Sequence, residues 1–216
     1  MPKLLHDHRV FWRQFRENYH STGAIAPSSR FLSQALSRYV GDSPGKSQRV
    51  LEVGPGTGAV TSHLVRRLGP SDRFDLVELN EQFVRRLGER FAHEPHFKRV
   101  AERSQILHQR LEDLPGKHEY DVIVSGLPLN NFAVADVQQI LATMVGLLKP
   151  GGVLSFFQYV AIRKARALVS NRHERARLQG ISRALDGLLG PHEERRDCIW
   201  RNLPPAWVHH VRMPAG

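Results

Sequence analysis

From residue 49 onward, short apolar runs alternate with segments whose apolar side chains recur at helical spacing. The runs at 49–53, 73–78, 104–108, 120–125 and 152–159 read as buried strands, and 58–68, 81–92, 134–148 and 163–188 read as helices. Strands alternating with helices predict a doubly wound, mostly parallel sheet. Lys149-Pro150-Gly151-Gly152 predicts a tight turn from helix back to strand. Two late strands, 196–201 and 206–212, are divided by Pro204-Pro205 and predict an antiparallel hairpin closing the sheet.

Ahead of this core lie two amphipathic segments. Leu4, Leu5, His8, Phe11, Trp12, Phe15 and Tyr19 fall on one helical stripe flanked by Lys3, Arg9, Arg13 and Arg16. Bulky apolar residues opposite a basic face are the composition of a helix lying in a membrane interface. Packing of such a stripe on the domain is the commoner use, but the basic flanks favour the interface. A second helix is expected over Arg30–Tyr39 with Ser28 or Ser29 as N-cap, followed by a Gly/Ser/Pro/Lys linker at 41–47. The chain thus divides into amphipathic helices at 1–40, which would bind membrane or act as a lid, and an α/β domain at 41–216.

Charge adds a partner to this picture. The 216 residues carry a formal net charge of +10, which implies an anionic partner surface, nucleic acid or acidic lipid. A single cysteine, Cys198, excludes an internal disulfide framework and fits a reducing cytosol. No apolar run reaches the length of a membrane span, and the N-terminus has no long apolar stretch of the secretory kind. The expected location is cytoplasmic, peripheral on the inner face of the membrane.

The candidate chemistry begins at the first strand. Val50-Leu51-Glu52-Val53-Gly54-Pro55-Gly56-Thr57-Gly58 is an apolar strand followed by a glycine-rich turn. Glycine at 54 and 56 lets the backbone turn sharply and approach a ligand closely. The second apolar run ends at Glu78, where a carboxylate can accept the hydroxyls of a ribose, so the ligand contains adenosine. Glu52, two residues before the first glycine, would repel a pyrophosphate but suits the cationic methionine end of S-adenosyl-L-methionine (SAM). The strand Tyr120–Val124 leads into Ser125-Gly126-Leu127-Pro128-Leu129, similar to the Asn-Pro-Pro-Tyr type loops of amino methyltransferases.

With these pieces placed, the chain resembles the short soluble bacterial phospholipid N-methyltransferases, which methylate phosphatidylethanolamine. The resemblance runs over nearly the whole length. It rests on Gly23-Ala-Ile-Ala-Pro-Ser-Ser29, Leu51-Glu-Val-Gly-Pro-Gly-Thr-Gly58, Val124-Ser-Gly-Leu-Pro-Leu129, Phe156-Phe-Gln-Tyr159 and Asn202-Leu-Pro-Pro-Ala-Trp-Val208. It implies a Rossmann-like class I methyltransferase fold with a seven-stranded sheet, and SAM as cofactor with S-adenosyl-L-homocysteine as product. It also implies an N-terminal helix that binds membrane and covers the cofactor. The cofactor contacts expected are Glu52, Gly54, Gly56 and Thr57 on the first turn and Glu78 and Leu79 on the second. Ser125, Gly126 and Leu127 follow on the fourth strand. Members commonly carry Gly-Asp-Ala after the third strand, where this chain has Gln109-Arg110-Leu111, so either Leu111 packs on the adenine ring with Glu112 or Asp113 as the polar contact, or backbone atoms suffice. Asn130-Asn131-Phe132 also departs from the plainer apolar segment of many phosphatidylethanolamine enzymes, which leaves ornithine lipid open as acceptor behind phosphatidylethanolamine, the first expectation.

Methyl transfer to an amine is an in-line displacement that needs a neutral amine held opposite the sulfonium. Carbonyl groups at Ser125, Gly126 and Leu127 can orient that amine, and Tyr159, Tyr19 and His20 are the candidates for orientation or proton removal. Ser28, Ser29, Arg30 and Asn130 are the candidate substrate contacts, with helix capping as the plain alternative for the serines. The competing class is an rRNA adenine N6-methyltransferase. Against it, the loop lacks Asn before Leu-Pro and an aromatic after it to stack a flipped base, so nucleic acid is not the expected partner. His209-His210 are adjacent on a strand and point to opposite faces, so no metal site is read there.

Overall fold

The computed structural model describes residues 29–42, 45–160 and 172–216, with backbone only at 172–174. The predicted helix at 4–19, the candidates Tyr19, His20 and Ser28, and the first part of the helix expected at 163–188 lie outside the described residues.

Helix α1 (Arg30–Leu36) buries Leu32, Ala35 and Leu36, and its N-cap is Ser29, whose side chain accepts from the Leu32 N–H. Then follow β1 (Arg49–Val53), α2 (Thr61–Arg67), β2 (Arg73–Glu78), α3 (Glu81–His93), the one-turn α4 (Pro95–Lys98), β3 (Ser104–His108) and β4 (Tyr120–Ser125). The chain continues through α5 (Val134–Leu147), β5 (Leu148–Tyr159), α6 (Arg172–His192), β6 (Glu193–Ile199) and β7 (Ala206–Arg212).

The strands form one seven-stranded sheet in the order β3-β2-β1-β4-β5-β7-β6, with β7 antiparallel to both β5 and β6. Alternation along β1 separates two cores: Val50 joins α1 to α4 on one face, and Leu51 and Val53 join α5 and α6 on the other. Central strands are therefore apolar on both sides, as in Val122, Ile123 and Val124 of β4. Edge strand β6 instead carries Glu194, Arg195 and Arg196 exposed, which discourages pairing with another chain. Chain order reverses between β1 and β4, and in such sheets ligands bind at that point, outside the carboxyl ends of the strands.

Several boundaries differ from the sequence expectation. Helix α2 starts at Thr61, not at 58, because Gly58 at φ +82° cannot belong to a right-handed helix. The expected turn Lys149–Gly152 lies inside the span of β5 as a bulge: Tyr120 pairs with Leu148 and Val122 with Val153, so Asp121 alone faces residues 149–152. Gly151 at φ +74° turns the chain there, and Lys149 Nζ lies 2.7 Å from Asp121 Oδ2. Helix α1 ends at Leu36, short of Tyr39, and the last helix runs on to His192. The hairpin strand expected at 196–201 is shifted to Glu193–Ile199, since the Asn202 N–H bonds back to the Ile199 carbonyl and closes the turn. Among the described residues no helix is long and apolar enough to cross a membrane.

Candidate active site

Three loops meet at the carboxyl ends of β1, β2 and β4. The Gly54 N–H donates to the Val77 carbonyl at 3.0 Å and the Gly126 N–H to the Val53 carbonyl at 2.8 Å, so the first turn is stitched to its neighbours on both sides. A Cβ on Gly126 would lie 2.7 Å from the Gly54 carbonyl oxygen, and one on Gly54 would lie 2.4 Å from Leu127 Cδ2. The freedom expected of Gly54 for a ligand's sake is thus required first by the chain itself, at φ +66°.

The third glycine has a different cause. Arg90, from α3, donates from Nη1 to the carbonyls of Thr57 at 3.1 Å and Gly58 at 2.8 Å, and from Nη2 to Ser62 Oγ at 2.8 Å. Its guanidinium lies 4.2 Å from the Phe97 ring centre and pairs with Glu94. A Cβ on Gly58 would lie 2.4 Å from Arg90 Nη1. Arg90 therefore clamps the outer side of the glycine turn. Sequence reasoning missed it, because an arginine on the polar side of an amphipathic helix carries no local signal for a partner 32 residues away.

Two carboxylates sit in this cradle on the same sheet face. Glu78 Oε2 accepts from the Gly56 N–H at 3.0 Å, and Oε1 accepts from Leu79 N–H at 2.9 Å and Asn80 N–H at 2.8 Å. Burial pushes its carboxyl above the ordinary range and these three bonds pull it back part of the way. Of the roughly four acceptor positions of a carboxylate, one remains on Oε2. That leaves acceptor capacity on Oε2 for one ribose hydroxyl, while a second would compete with the Gly56 N–H.

Glu52 is fully buried, and neither oxygen accepts a hydrogen bond of good geometry among the described residues, the Thr61 hydroxyl and N–H exerting only a weak pull on it. Burial, reinforced by the charge of Glu78, pushes its carboxyl up to about 8, while Thr61 and Arg90 draw it only partly back. A carboxylate left in this state is completed by a cation or by a proton.

The remaining sequence candidates are placed as follows. Ser125 is buried, and its Oγ accepts from the Leu127 N–H at 3.3 Å. Leu79 is half-buried above the second turn, its carbonyl 3.1 Å from His108 Nε2. Leu111 belongs to the core against α5, in a short turn where Arg110 pairs with Glu112. Tyr159 is 6% exposed at the end of β5, edge-on to Phe157 on the same face as the α1 to α4 core. Asn130 is buried in the turn Leu129–Asn131. Arg30 is exposed at the start of α1, 4.7 Å from the Phe31 ring. Ser29 serves as cap of α1, and its N–H donates to Asn202 Oδ1 at 3.1 Å. His209 and His210 do face opposite ways, His209 to Glu193 and His210 to Ser155 and Tyr39.

A sheet of this order, with a glycine turn after β1 and a ribose-type carboxylate ending β2, defines a class I methyltransferase. Residues 50–152 match the family described as methyltransferase domain. The ornithine lipid N-methyltransferase of Singulisphaera acidiphila is 31% identical over 154 residues, covering 69% of this chain and 76% of that protein. The malonyl-[acyl-carrier protein] O-methyltransferase of Prosthecochloris aestuarii is 30% identical over 180 residues, 76% of this chain and 60% of its own length. Among solved structures, an O-methyltransferase from Bacillus cereus in complex with SAH superposes with a TM-score of 0.64 at 16% identity, over 94% of this chain and 90% of that one, which shows the fold. The chain belongs to the class I SAM-dependent methyltransferases.

The residues present fit that cofactor. Glu52 offers a buried carboxylate without a well-formed hydrogen bond for the methionine ammonium, and Glu78 keeps an open acceptor position for a ribose hydroxyl. Bound there, SAM supplies an electrophilic methyl group.

Proposed function

We propose that this protein transfers methyl groups from SAM to the head-group amine of a membrane aminolipid. The observation that carries the reading is the shape of the acceptor-side loop. Ser125, Gly126 and Leu127 bring backbone and an apolar side chain against the glycine turn, and the aromatic that follows, Phe132, is completely buried in the core against α5. A flipped base needs an aromatic platform in the site, and Phe132 does not offer one. An amine needs only directed acceptors and a dry wall.

A primary amine of this kind is protonated in water near neutral pH. Its proton must leave before its lone pair can attack, and withdrawal from water at an apolar mouth lowers the amine's pKa. Backbone carbonyls of residues 125–127 orient the amine, and Tyr159 at the end of β5 supplies a hydroxyl for the head group. The Singulisphaera relative, by its name, methylates ornithine lipid, which supports that acceptor over phosphatidylethanolamine in this reading. Mass spectrometry of lipids from a host without such an enzyme, before and after expression, tests the reading. Aminolipids heavier by one or more methyl increments support it. An unchanged aminolipid profile overturns it.

A further inference from the structure

The turn between β6 and β7 presents Trp200 and Leu203, 69% and 84% exposed, the large apolar side chains that stand out into solvent among the described residues. The turn that carries them is braced. Asn202, only 5% exposed, closes it with its N–H on the Ile199 carbonyl at 3.3 Å and donates from Nδ2 to the Pro204 carbonyl at 2.7 Å. Its Oδ1 accepts the Ser29 N–H, which ties the turn to the start of α1. With Asn202 held inward, its neighbours at 200 and 203 stand outward on either side.

Charge surrounds these two side chains. Arg30 and Arg201 are both exposed and flank the Phe31 ring at 4.7 and 5.2 Å, and no carboxylate pairs with either among the described residues. The turn also has a definite place. Ala206 pairs with Tyr159, and the Val160 N–H donates to the Pro205 carbonyl at 2.8 Å. It therefore lies at the carboxyl end of β5, the edge that carries the glycine turn and the acceptor loop.

We propose that Trp200 and Leu203, with Arg201 and Arg30 beside them, form a docking surface for an anionic phospholipid bilayer. The indole and isobutyl groups enter the interfacial layer and the guanidinium groups meet lipid phosphates, so the mouth of the site is held against the bilayer. Two side chains projecting from a narrow turn make too small a patch for a stable protein partner, whereas a bilayer accepts isolated apolar projections. The inference rests on the aminolipid reading above, because a lipid-borne acceptor is what requires the mouth to face the bilayer.

The test uses the full chain, vesicles of phosphatidylcholine with and without an anionic lipid, and a Trp200→Ser, Leu203→Ser double variant. SAM affinity by calorimetry, unchanged in the variant, certifies its fold. Sedimentation with anionic vesicles is expected to show partitioning reduced by about tenfold or more, the scale of losing two inserted apolar side chains. Lipids brominated near the head group are expected to quench an emission component absent from Trp200→Phe, and Arg201→Gln is expected to flatten the salt dependence. Methylation of vesicle-borne aminolipid falls in the double variant while methylation of a short-chain, monomeric form stays at the wild-type rate. Partitioning equal to wild type, or no quenching assignable to Trp200, overturns the docking surface. A wild-type protein that methylates neither lipid form overturns the functional reading instead, and the partitioning result still decides the surface.

Discussion

The guanidinium of Arg90 occupies the space that a Cβ on Gly58 would need, 2.4 Å from its ideal position, while donating to the Gly58 carbonyl at 2.8 Å. The third glycine of the turn and an arginine on α3 thus depend on each other. Gly58→Ala is expected to destabilise the protein by about 1–3 kcal/mol, since it combines a clash with a positive φ. Arg90→Met removes the donor from Thr57, Gly58 and Ser62 together and is expected to raise the KM for SAM with little change in kcat. Thermal melts of the first variant and steady-state kinetics of the second check the pair.

Glu78 joins the first turn to the second through Gly56, Leu79 and Asn80. Glu78→Ala is expected to weaken SAM binding by about 1–3 kcal/mol, the scale of lost charge-assisted hydrogen bonds. Calorimetry on the variant measures it, and unchanged affinity with an intact fold removes Glu78 from the cofactor site.

Glu52 makes a prediction about pH. Its folded pKa, about 8, stands above the ordinary carboxylate value it regains on unfolding. Its contribution to the stability of the cofactor-free protein is therefore fully present below that ordinary value and is lost as pH rises towards about 8. A bound ammonium favours the ionised form, so SAM affinity runs the other way and increases over the same window, with proton release on binding. Calorimetry in buffers of different ionisation enthalpy reads the release directly. Glu52→Gln is expected to abolish it and to flatten the stability profile.

Tyr159, at the end of β5, is proposed to serve the acceptor and not the cofactor. Tyr159→Phe is expected to lower kcat by about tenfold or more while leaving SAM affinity unchanged. Paired kinetic and binding measurements distinguish this from a packing defect, which would lower stability along with rate.

Local signals made much of this architecture legible. Beta-strand runs at 49–53, 73–78 and 120–125 coincide with β1, β2 and β4, because a central strand covered on both faces must be largely apolar, and the edge strand β3 at 104–108 keeps only Ile106 and Leu107 as its apolar signal. The glycine turn and Glu78 were readable for the same reason, since their spacing is fixed by the strand and helix between them. Relationships that cross the chain were not. The bulge at Lys149–Gly152 exists only against Asp121, the Arg90 clamp only against a turn 32 residues earlier, and the Asn202 brace only against Ser29. Asn202 and Ser29 nevertheless both lie in segments on which the family resemblance rested, and their hydrogen bond gives those two segments a shared physical role.

The most direct test supplies purified protein with methyl-labelled SAM and, in parallel, vesicles of ornithine lipid, vesicles of phosphatidylethanolamine and lipid-free ribosomal RNA. The account predicts label in an aminolipid head group, with ornithine lipid labelled fastest and RNA unlabelled. Label in RNA adenine with none in either lipid would contradict it.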